Sequence, residues 1–533
     1  MNKRYPIAAN IKTKKFVFLL LCTIILLSLV LFLPLQNHRA FESPDENANY
    51  LATKLYSVTG QLWYHEDYTK LDVENYLHPR HFVTYNDRVV PTEFLGTPIT
   101  YGPLYAFAGD ASAKIWVAIF SLLSFFYFIK LASLLFGENA SLYAAIVFLA
   151  SLPLLYYLNM PYYNSTGAIS FFICGLFYLT RFSRLAETRD LIISTLFFSL
   201  SILFRLEYAI FIALLFLITL ANKYRTDLRA YLKPLVLWTI IIVVFCLIPT
   251  FILNLEVYGK ATTFGTQLLQ TSSIGKEGLT WWQFALPYPV IPDIILANTY
   301  RLIIRLSPLL ALLSLTGILY YLRERKFDAY KLLYVALFIY VIIYSGSSDT
   351  WLAYDFSYLG LGTSIIRYWL MDYVFISIMA VAGIYFLHRK YPRLVPLLAA
   401  VLLVTSISSF LIDNERSILE LSKSLDYRQR VIDTIQVEVD SRSIVYSDTF
   451  DKVLVPNGMH AAGWWAGKKT YDPSLLAESM ARLSRESNYS IYLYAPSSYV
   501  NVSELNNILE EDNLFLNTNA AVKYLYELGE KQP

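Results

Sequence analysis

Long apolar runs, most of them separated by only a few residues, recur along the chain. The first, over residues 16–35, is about twenty residues long, the length that spans a hydrocarbon core. Further runs predict spans over residues 114–136, 140–158, 164–181, 190–204, 207–221, 234–254, 298–322, 331–346, 368–387 and 394–412. The pattern predicts a mainly α-helical, polytopic membrane protein with about eleven transmembrane helices.

The composition excludes most other classes. The chain of 533 residues is 56% hydrophobic and only 16% charged, whereas soluble domains are about a quarter charged. Its net charge of +3 gives no reason to expect a nucleic-acid partner. Cys22, Cys174 and Cys246 all lie in apolar runs, so neither a disulfide framework nor a thiolate metal site is expected. Membrane lipids are therefore the expected surroundings.

The charges predict the topology. The first run follows a basic segment at residues 12–15 and no small-residue cleavage site follows it, so we expect an uncleaved anchor with a cytoplasmic N-terminus. We interpret residues 190–221 as a hairpin turning at Arg205-Leu206-Glu207, because one helix of that length would overshoot the bilayer. The basic segments 1–15, 181–189, 222–233, 323–331 and 388–393 then lie inside, as the positive-inside rule requires.

Three large segments then lie outside: residues 36–113, residues 255–297 and the tail from 413 to 533. We predict a transmembrane domain over residues 1–412 and a soluble outer domain over 413–533. Strand-like and helix-like patterns alternate in the tail at residues 443–447, 473–485, 491–494, 502–511 and 522–526. They predict a small α/β domain.

Two adjacent acids, Asp45 and Glu46, follow the first span. Ser43 or Pro44 can open a helix there, and the helix dipole stabilises carboxylates in the first turn. That structural explanation is one alternative. The other is catalytic: at the outer membrane face, one acid could deprotonate an acceptor hydroxyl while the other orients it.

Arginines at the membrane surface are the second candidate group. A leaving lipid phosphate needs cations, and arginine in lipid is costly unless it is paired or functional. The donor-phosphate candidates are Arg367, Arg205, Arg301, Arg305 and the neighbouring Tyr368. The alternatives are pairing of Arg205 with Glu207, snorkelling of the Arg301 and Arg305 pair, and interfacial anchoring at residues 367–369.

At this point the sequence resembles a known family. The signs are Pro44-Asp45-Glu46 after the first span, a segment ending in Thr59-Gly60, Tyr101-Gly102-Pro103 before the second span, an Arg-Tyr pair opening a late span, and a soluble tail. Their order resembles the GT-C membrane glycosyltransferases, which include protein O-mannosyltransferases and the aminoarabinose transferases of lipid A.

The resemblance implies a GT-C-type helical bundle that uses a polyprenyl-phosphate-linked sugar donor. Hexosyl or pentosyl transfer would take place on the outer face of the cell membrane, to a lipid, glycan or protein acceptor. It also implies that Asp45 is the catalytic base, with Glu46 beside it. Two departures stand out. Asn164 occupies a place where many relatives carry an acid, so a second carboxylate would come from Asp67 or Asp110. The frequent His-Pro-Pro of relatives is replaced by residues 101–103.

No cofactor is expected, and a divalent metal is the less favoured alternative. His78 and His81 are three residues apart in a Pro-containing loop with Glu66 and Asp67 upstream, but no helix aligns the two rings. No phosphate-binding loop is visible. The aromatic pairs Trp281-Trp282 and Trp464-Trp465 could stack on sugars, but membrane belts and core packing are the favoured explanation.

Other classes of polytopic protein remain as alternatives. A lipid or polysaccharide transporter, flippase or polymerase would also use buried arginines, but a transporter is expected to show repeated halves, and none is seen. A membrane scaffold that displays the tail is a third reading.

Overall fold

The computed structural model describes residues 5–32, 41–66, 78–224, 228–265, 268, 290–324, 339, 342–343, 364–412, 417–440, 442–447, 454, 460–463, 473–496, 501–519 and 522–530. The chain divides into two compact units. The first contains residues 1–36, 114–249 and 279–420, and the second contains residues 37–113, 250–278 and 421–533. The second unit therefore consists largely of the segments that the charge pattern placed outside the membrane.

The described helices and strands follow one another in a single sequence of elements. They are α1 Tyr5–Phe32, α2 Pro44–Thr59, β1 Phe82–Tyr85, β2 Arg88–Pro91, α3 Gly96–Ala108, α4 Ala111–Phe136, α5 Ala140–Ala150, α6 Leu152–Leu158, α7 Asn164–Leu185, α8 Thr188–Phe204, α9 Tyr208–Lys223, α10 Leu228–Ile242, α11 Ile248–Tyr258, α12 Pro292–Thr299, α13 Pro308–Glu324, α14 Leu370–Lys390, α15 Leu394–Ile412, α16 Ile418–Glu438, β3 Ser443–Ser447, β4 His460–Gly463, α17 Pro473–Glu486, β5 Ser490–Tyr494, α18 Val502–Leu509, β6 Leu514–Thr518 and β7 Leu525–Glu530.

Helices occupy the predicted spans wherever the structure describes those residues. Most of the predicted span 331–346 lies outside the described residues. By length and composition, 5 helices of the described part can cross a membrane, or up to 7 if each of two bent pairs is one span. The mainly α-helical fold class is confirmed, and the chain is a multi-pass membrane protein.

Two predicted spans are not straight helices. The chain bends by 69° between α5 and α6, and by 107° between the helix ending at Arg305 and the one beginning at Pro308. Pro153 lies in the first turn of α6 and Pro308 opens α13. Proline lacks a backbone N–H and clashes with the preceding turn, so each helix ends shortly before it.

The predicted interruption at Arg205 is confirmed. α8 ends at Phe204, Arg205 is extended with φ −150° and ψ 105°, and α9 begins at Tyr208. Residues 190–221 are therefore two helices and not one, as the length argument required.

Small residues let helices of the first unit approach closely. A Cβ on Gly317 of α13 would collide with the carbonyl oxygen of Met379 in α14, and a Cβ on Gly383 would collide with that of Leu313. A Cβ on Gly167 of α7 would likewise collide with the Phe204 ring. The two contacts between α13 and α14 bring backbones close together, which is typical of helices packed in membranes.

In the second unit, α2 and α3 pack beside a β-hairpin. β1 and β2 are antiparallel, with Phe82 opposite Pro91 and Tyr85 opposite Arg88. Gly102 of α3 fits against Tyr56 of α2, since a Cβ there would lie 2.5 Å from the Tyr56 ring. This packing explains a glycine within the Tyr101-Gly102-Pro103 sequence.

The tail forms the small α/β fold that its sequence predicts. The sheet has the order β4-β3-β5-β7-β6, with β3 parallel to β4 and β5, and β7 antiparallel to β5 and β6. The final strand was predicted at residues 522–526 but runs over Leu525–Glu530, and β4 and β6 were not predicted. The core of this fold includes Ile444, Tyr446, Leu476, Met480, Leu493, Leu505 and Leu516.

Candidate functional site

The two acids Asp45 and Glu46 lie in the first turn of α2, as predicted. Ser43 is the N-cap: its hydroxyl accepts a hydrogen bond from the Asp45 backbone N–H, and its own N–H donates to Glu46. These contacts measure 3.3 and 3.4 Å and form a capping box. Asp45 is 5% exposed and Glu46 2% exposed. Glu46 thus stabilises the helix end, which is the structural role, and the Asp45 carboxylate lies beside a histidine.

That histidine is His81. Its Nε2 lies 3.3 Å from Asp45 Oδ1, and its Nδ1 lies 2.7 Å from Glu93 Oε1. His81 has a φ of +64°, a left-handed conformation that few non-glycine residues adopt. The sequence reasoning picked out His81 but not Glu93. The hairpin brings Glu93 to His81, because the backbone N–H of the preceding residue, Thr92, donates to the His81 carbonyl at 2.8 Å. No local sequence pattern signals this contact between His81 and Glu93.

The other groups considered for a metal site at the sequence level lie elsewhere. His78 is buried and its Nδ1 lies 2.9 Å from the Pro79 carbonyl. Glu66 contacts His460 of β4, with Oε1 and Nδ1 3.4 Å apart, and this hydrogen bond raises the pKa of His460 above its ordinary value. Asp67 lies outside the described residues, as do Trp281-Trp282 and Trp464-Trp465.

Asp110, one of two candidates for a second carboxylate, is held by two phenols. Its Oδ1 accepts hydrogen bonds from Tyr105 at 2.8 Å and from Tyr50 at 3.1 Å. Burial raises the pKa of Tyr105, and its hydrogen bonds with Tyr50 and Asp110 raise it further. The exposed Asp110 carboxylate is therefore fixed in position by groups that donate to it.

In the first unit, Arg205 lies where α8 ends and is only 5% exposed. Its Nε and one terminal nitrogen contact Glu207 Oε2 at 2.9 and 2.8 Å, and the other terminal nitrogen donates to the Ser165 hydroxyl at 2.7 Å. The pairing with Glu207 that the sequence suggested is therefore present. It does not by itself exclude contact with an anion, because guanidinium has five N–H donors.

Arg367 and Tyr368 lie beside Arg205. The Tyr368 ring lies 4.9 Å from the Arg205 guanidinium and 5.2 Å from that of Arg367. Arg367 also lies 5.7 Å from the ring of Tyr163. Three predicted phosphate-site residues thus form one cluster, although Arg205 lies more than 160 positions before Arg367 and Tyr368 in the sequence. Cation–π contacts hold the cluster together.

Arg301 and Arg305 do not share one environment. They lie in a π-helical segment, Tyr300–Arg305, in which Arg301 is buried and Arg305 is exposed. The α-helical spacing that would align side chains four apart does not apply in a π-helix. Asn164 is buried at the start of α7, one residue from Ser165 and Tyr163.

Among the comparisons with known proteins, only the one with solved structures finds similar proteins. No family model matches the sequence, and no curated protein matches it. Among solved structures, ArnT from Cupriavidus metallidurans in the apo state is similar, with a TM-score of 0.57 and 12% identity over 96% of this chain and 98% of that one. The same protein bound to undecaprenyl phosphate is similar to the same degree, with a TM-score of 0.57 and 12% identity over 96% of this chain and 97% of that one.

The similarity extends over nearly the whole of both chains, so it includes the transmembrane helices and the tail. The resemblance to GT-C glycosyltransferases that the order of sequence features indicated is thereby confirmed at the level of fold. The chain therefore has the same overall fold as ArnT from Cupriavidus metallidurans.

Proposed function

We propose that this chain is a membrane glycosyltransferase that moves a sugar from a polyprenyl-phosphate-linked donor to an acceptor on the outer face. The observation that carries the proposal is the similarity of nearly the whole chain to ArnT, which has been solved with undecaprenyl phosphate bound. Two separate observations support it: arginines cluster within the first unit, as a leaving phosphate requires, and Asp45 is a buried acid of the kind that serves as a general base.

In the proposed reaction, Asp45 accepts the proton of an acceptor hydroxyl. The hydroxyl oxygen forms a bond to the anomeric carbon of the sugar while the bond from that carbon to the phosphate oxygen breaks. The polyprenyl phosphate leaves with the bonding electrons, and attack from the opposite side inverts the anomeric configuration. The burial of Asp45 keeps competing water away from the carboxylate.

Arginine is suited to the departing phosphate because its planar guanidinium can donate two parallel hydrogen bonds to it. Arg367 is our first candidate for this role, followed by Arg205 and Tyr368 in the same cluster. Arg367 is placed before Arg205 because Glu207 already neutralises the charge of Arg205. Arg301 and Arg305 follow, since they do not present a joint surface.

The test is mass spectrometry of surface glycans from cells with and without the gene. Loss of a defined sugar in its absence supports transfer and identifies the sugar, whether hexose or pentose, together with the acceptor. Complementation with wild type should restore the sugar. Asp45→Asn should lower transfer by about 100-fold or more, the usual contribution of a general base.

A matched control is Asp87→Asn. Asp87 is exposed in the turn between β1 and β2 with a φ of +59°, a conformation that asparagine also tolerates. This variant should restore the sugar fully. Unchanged glycans without the gene would instead favour the alternative, a lipid or polysaccharide transporter, and full activity of Asp45→Asn would contradict the proposed mechanism.

A further inference from the structure

A charged residue interrupts the buried face of α16, the first helix of the tail. The buried apolar side chains of this face are Leu421, Leu425, Ile432, Ile435 and, just after the helix, Val439. Position 428 lies three residues after Leu425 and four before Ile432, so it belongs to the same helix face. Arg428 occupies this position. An arginine on a largely buried face is costly unless its guanidinium is paired.

The partners of Arg428 lie almost four hundred residues earlier in the chain. Its Nη1 donates to the backbone carbonyl of Phe41 at 3.1 Å and to Glu42 Oε2 at 2.8 Å. The second distance is typical of a charge-assisted hydrogen bond. The Arg428 side chain is 19% exposed and that of Glu42 is 30% exposed. A residue of the tail thus holds both the backbone and a side chain of the segment before α2.

This segment determines how the chain enters α2. The next residue, Ser43, is the extended N-cap, with φ −113° and ψ 146°. Its hydroxyl accepts from the Asp45 backbone N–H, and its carbonyl accepts from the Asn47 N–H at 3.3 Å. The Phe41 ring packs on that of Tyr50 one turn further along, with 5.2 Å between the ring centroids. The segment that Arg428 holds therefore sets the position of the first helical turn, which carries Asp45.

The tail end of this connection is fixed as well. After α16, the Asp440 carboxylate accepts hydrogen bonds from the Arg442 backbone N–H at 2.7 Å and from the Ser443 hydroxyl at 2.8 Å. Ser443 begins β3, which pairs in parallel with β5. Arg428 is therefore carried by a helix that is joined through a hydrogen-bonded turn to the sheet.

Stability alone does not explain an arginine at this position. Apolar residues that replace a largely buried ion pair often leave a protein equally stable or make it more stable. An ion pair with hydrogen bonds adds a defined direction, which an apolar contact lacks. Catalytic groups must be held within about 0.5 Å of their productive position, and a displacement of about 1 Å can lower the rate about 100-fold.

We infer that Arg428 is a positioning residue for glycosyl transfer. It fixes the segment before α2 to the tail and thereby holds the Asp45 carboxylate in its working position. This role rests on the proposed function, because Asp45 is the base only in that reaction. The tail then contributes to catalysis without contacting the substrate through Arg428.

The test removes both charges, so that neither is left without its partner. In the Glu42→Gln/Arg428→Leu double variant, leucine matches the neighbouring residues of the buried face. The purified full-length chain in detergent should keep the wild-type midpoint of thermal unfolding or exceed it. Hydrogen–deuterium exchange of peptides covering residues 43–52 should become faster by about tenfold or more, because the first turn of α2 is no longer held. In cells, sugar transfer measured on surface glycans should fall by about 10–100-fold.

Two single variants complete the test. Arg428→Lys should restore part of the exchange protection and part of the transfer, since an ammonium can bond to Glu42 but lacks the planar fork of donors. The control is Arg430→Leu, the same chemical change on the exposed side of the same helix. It should match wild type in thermal unfolding, exchange and transfer.

Failure of this role and failure of the proposed function give different results. Hydrogen exchange is measured without donor or acceptor, so it does not depend on glycosyl transfer. Wild-type exchange of residues 43–52 in the double variant, or wild-type transfer by it, would overturn the positioning role. A lowered unfolding midpoint that accounts for the lost transfer, with no recovery in Arg428→Lys, would also overturn it and leave a purely structural contact. Faster exchange together with full transfer by Asp45→Asn would instead refute the proposed base.

Discussion

The Arg205–Glu207 ion pair permits a quantitative test of how the turn between α8 and α9 is stabilised. Arg205 is 5% exposed, and its guanidinium makes two contacts with Glu207 and one with Ser165, all between 2.7 and 2.9 Å. Hydrogen bonds to charged groups contribute about 1.5–3 kcal/mol each in favourable cases. The Glu207 side chain is 35% exposed, so water can replace part of the hydrogen bonding that its carboxylate loses when Arg205 is removed.

We therefore expect Arg205→Ala to lower the free energy of unfolding by about 3 kcal/mol. Glu207→Gln should cost about 1 kcal/mol, because the amide oxygen can still accept one bond. The double variant should be more stable than the sum of the single losses predicts, with a coupling energy of about 1–2 kcal/mol. Arg205→Lys should lose about 1–2 kcal/mol, since an ammonium cannot reproduce the two-nitrogen contact.

The assay is reversible unfolding of the four proteins in mixed detergent micelles, analysed as a double-mutant cycle. Arg305→Ala is the control, because Arg305 is exposed and should change stability by less than about 0.5 kcal/mol. A coupling energy below about 0.3 kcal/mol would refute the reasoning and show that the pair stabilises neither the turn nor the position of Arg205.

Two further predictions concern packing and pH. Gly383→Val should destabilise the first unit by about 1–3 kcal/mol or more, because the side chain would displace the α13 backbone; thermal unfolding in detergent measures it, and a wild-type midpoint would contradict the close approach. His460 has a raised pKa through its hydrogen bond with Glu66, so the pair stabilises the fold fully below the unfolded pKa of about 6.5 and less as the pH rises through the folded pKa. The difference in unfolding free energy between wild type and His460→Gln should thus fall by about 0.5–1 kcal/mol from pH 5.5 to 8.5. In a Glu66→Gln background, where the hydrogen-bond partner carries no charge, the effect of His460→Gln should show no such fall.

The order of apolar runs predicted the helices of this protein because membrane spans are determined by length and hydropathy, both of which are local properties. The break at Arg205 was predictable for the same reason. The capping box at Ser43 and Glu46 was also readable, since a cap depends on residues within one turn. The bends before Pro153 and Pro308 could have been predicted from the prolines alone.

Contacts between distant segments were decided only by the tertiary structure. Residue types suggested Arg205, Arg367 and Tyr368 separately, but their meeting depends on how α7 packs against both α8 and α14, and spacing in sequence carries no information about that. The pairing of His81 with Asp45 and Glu93 depends on the hairpin register, in which Phe82 faces Pro91. The sequence alone determined that Asp45 lies in the first turn of a helix in the segment that follows the first span. Which side chain would face its carboxylate was decided by the folded chain, because side chains far apart in sequence meet only when backbone hydrogen bonds and packing bring them together.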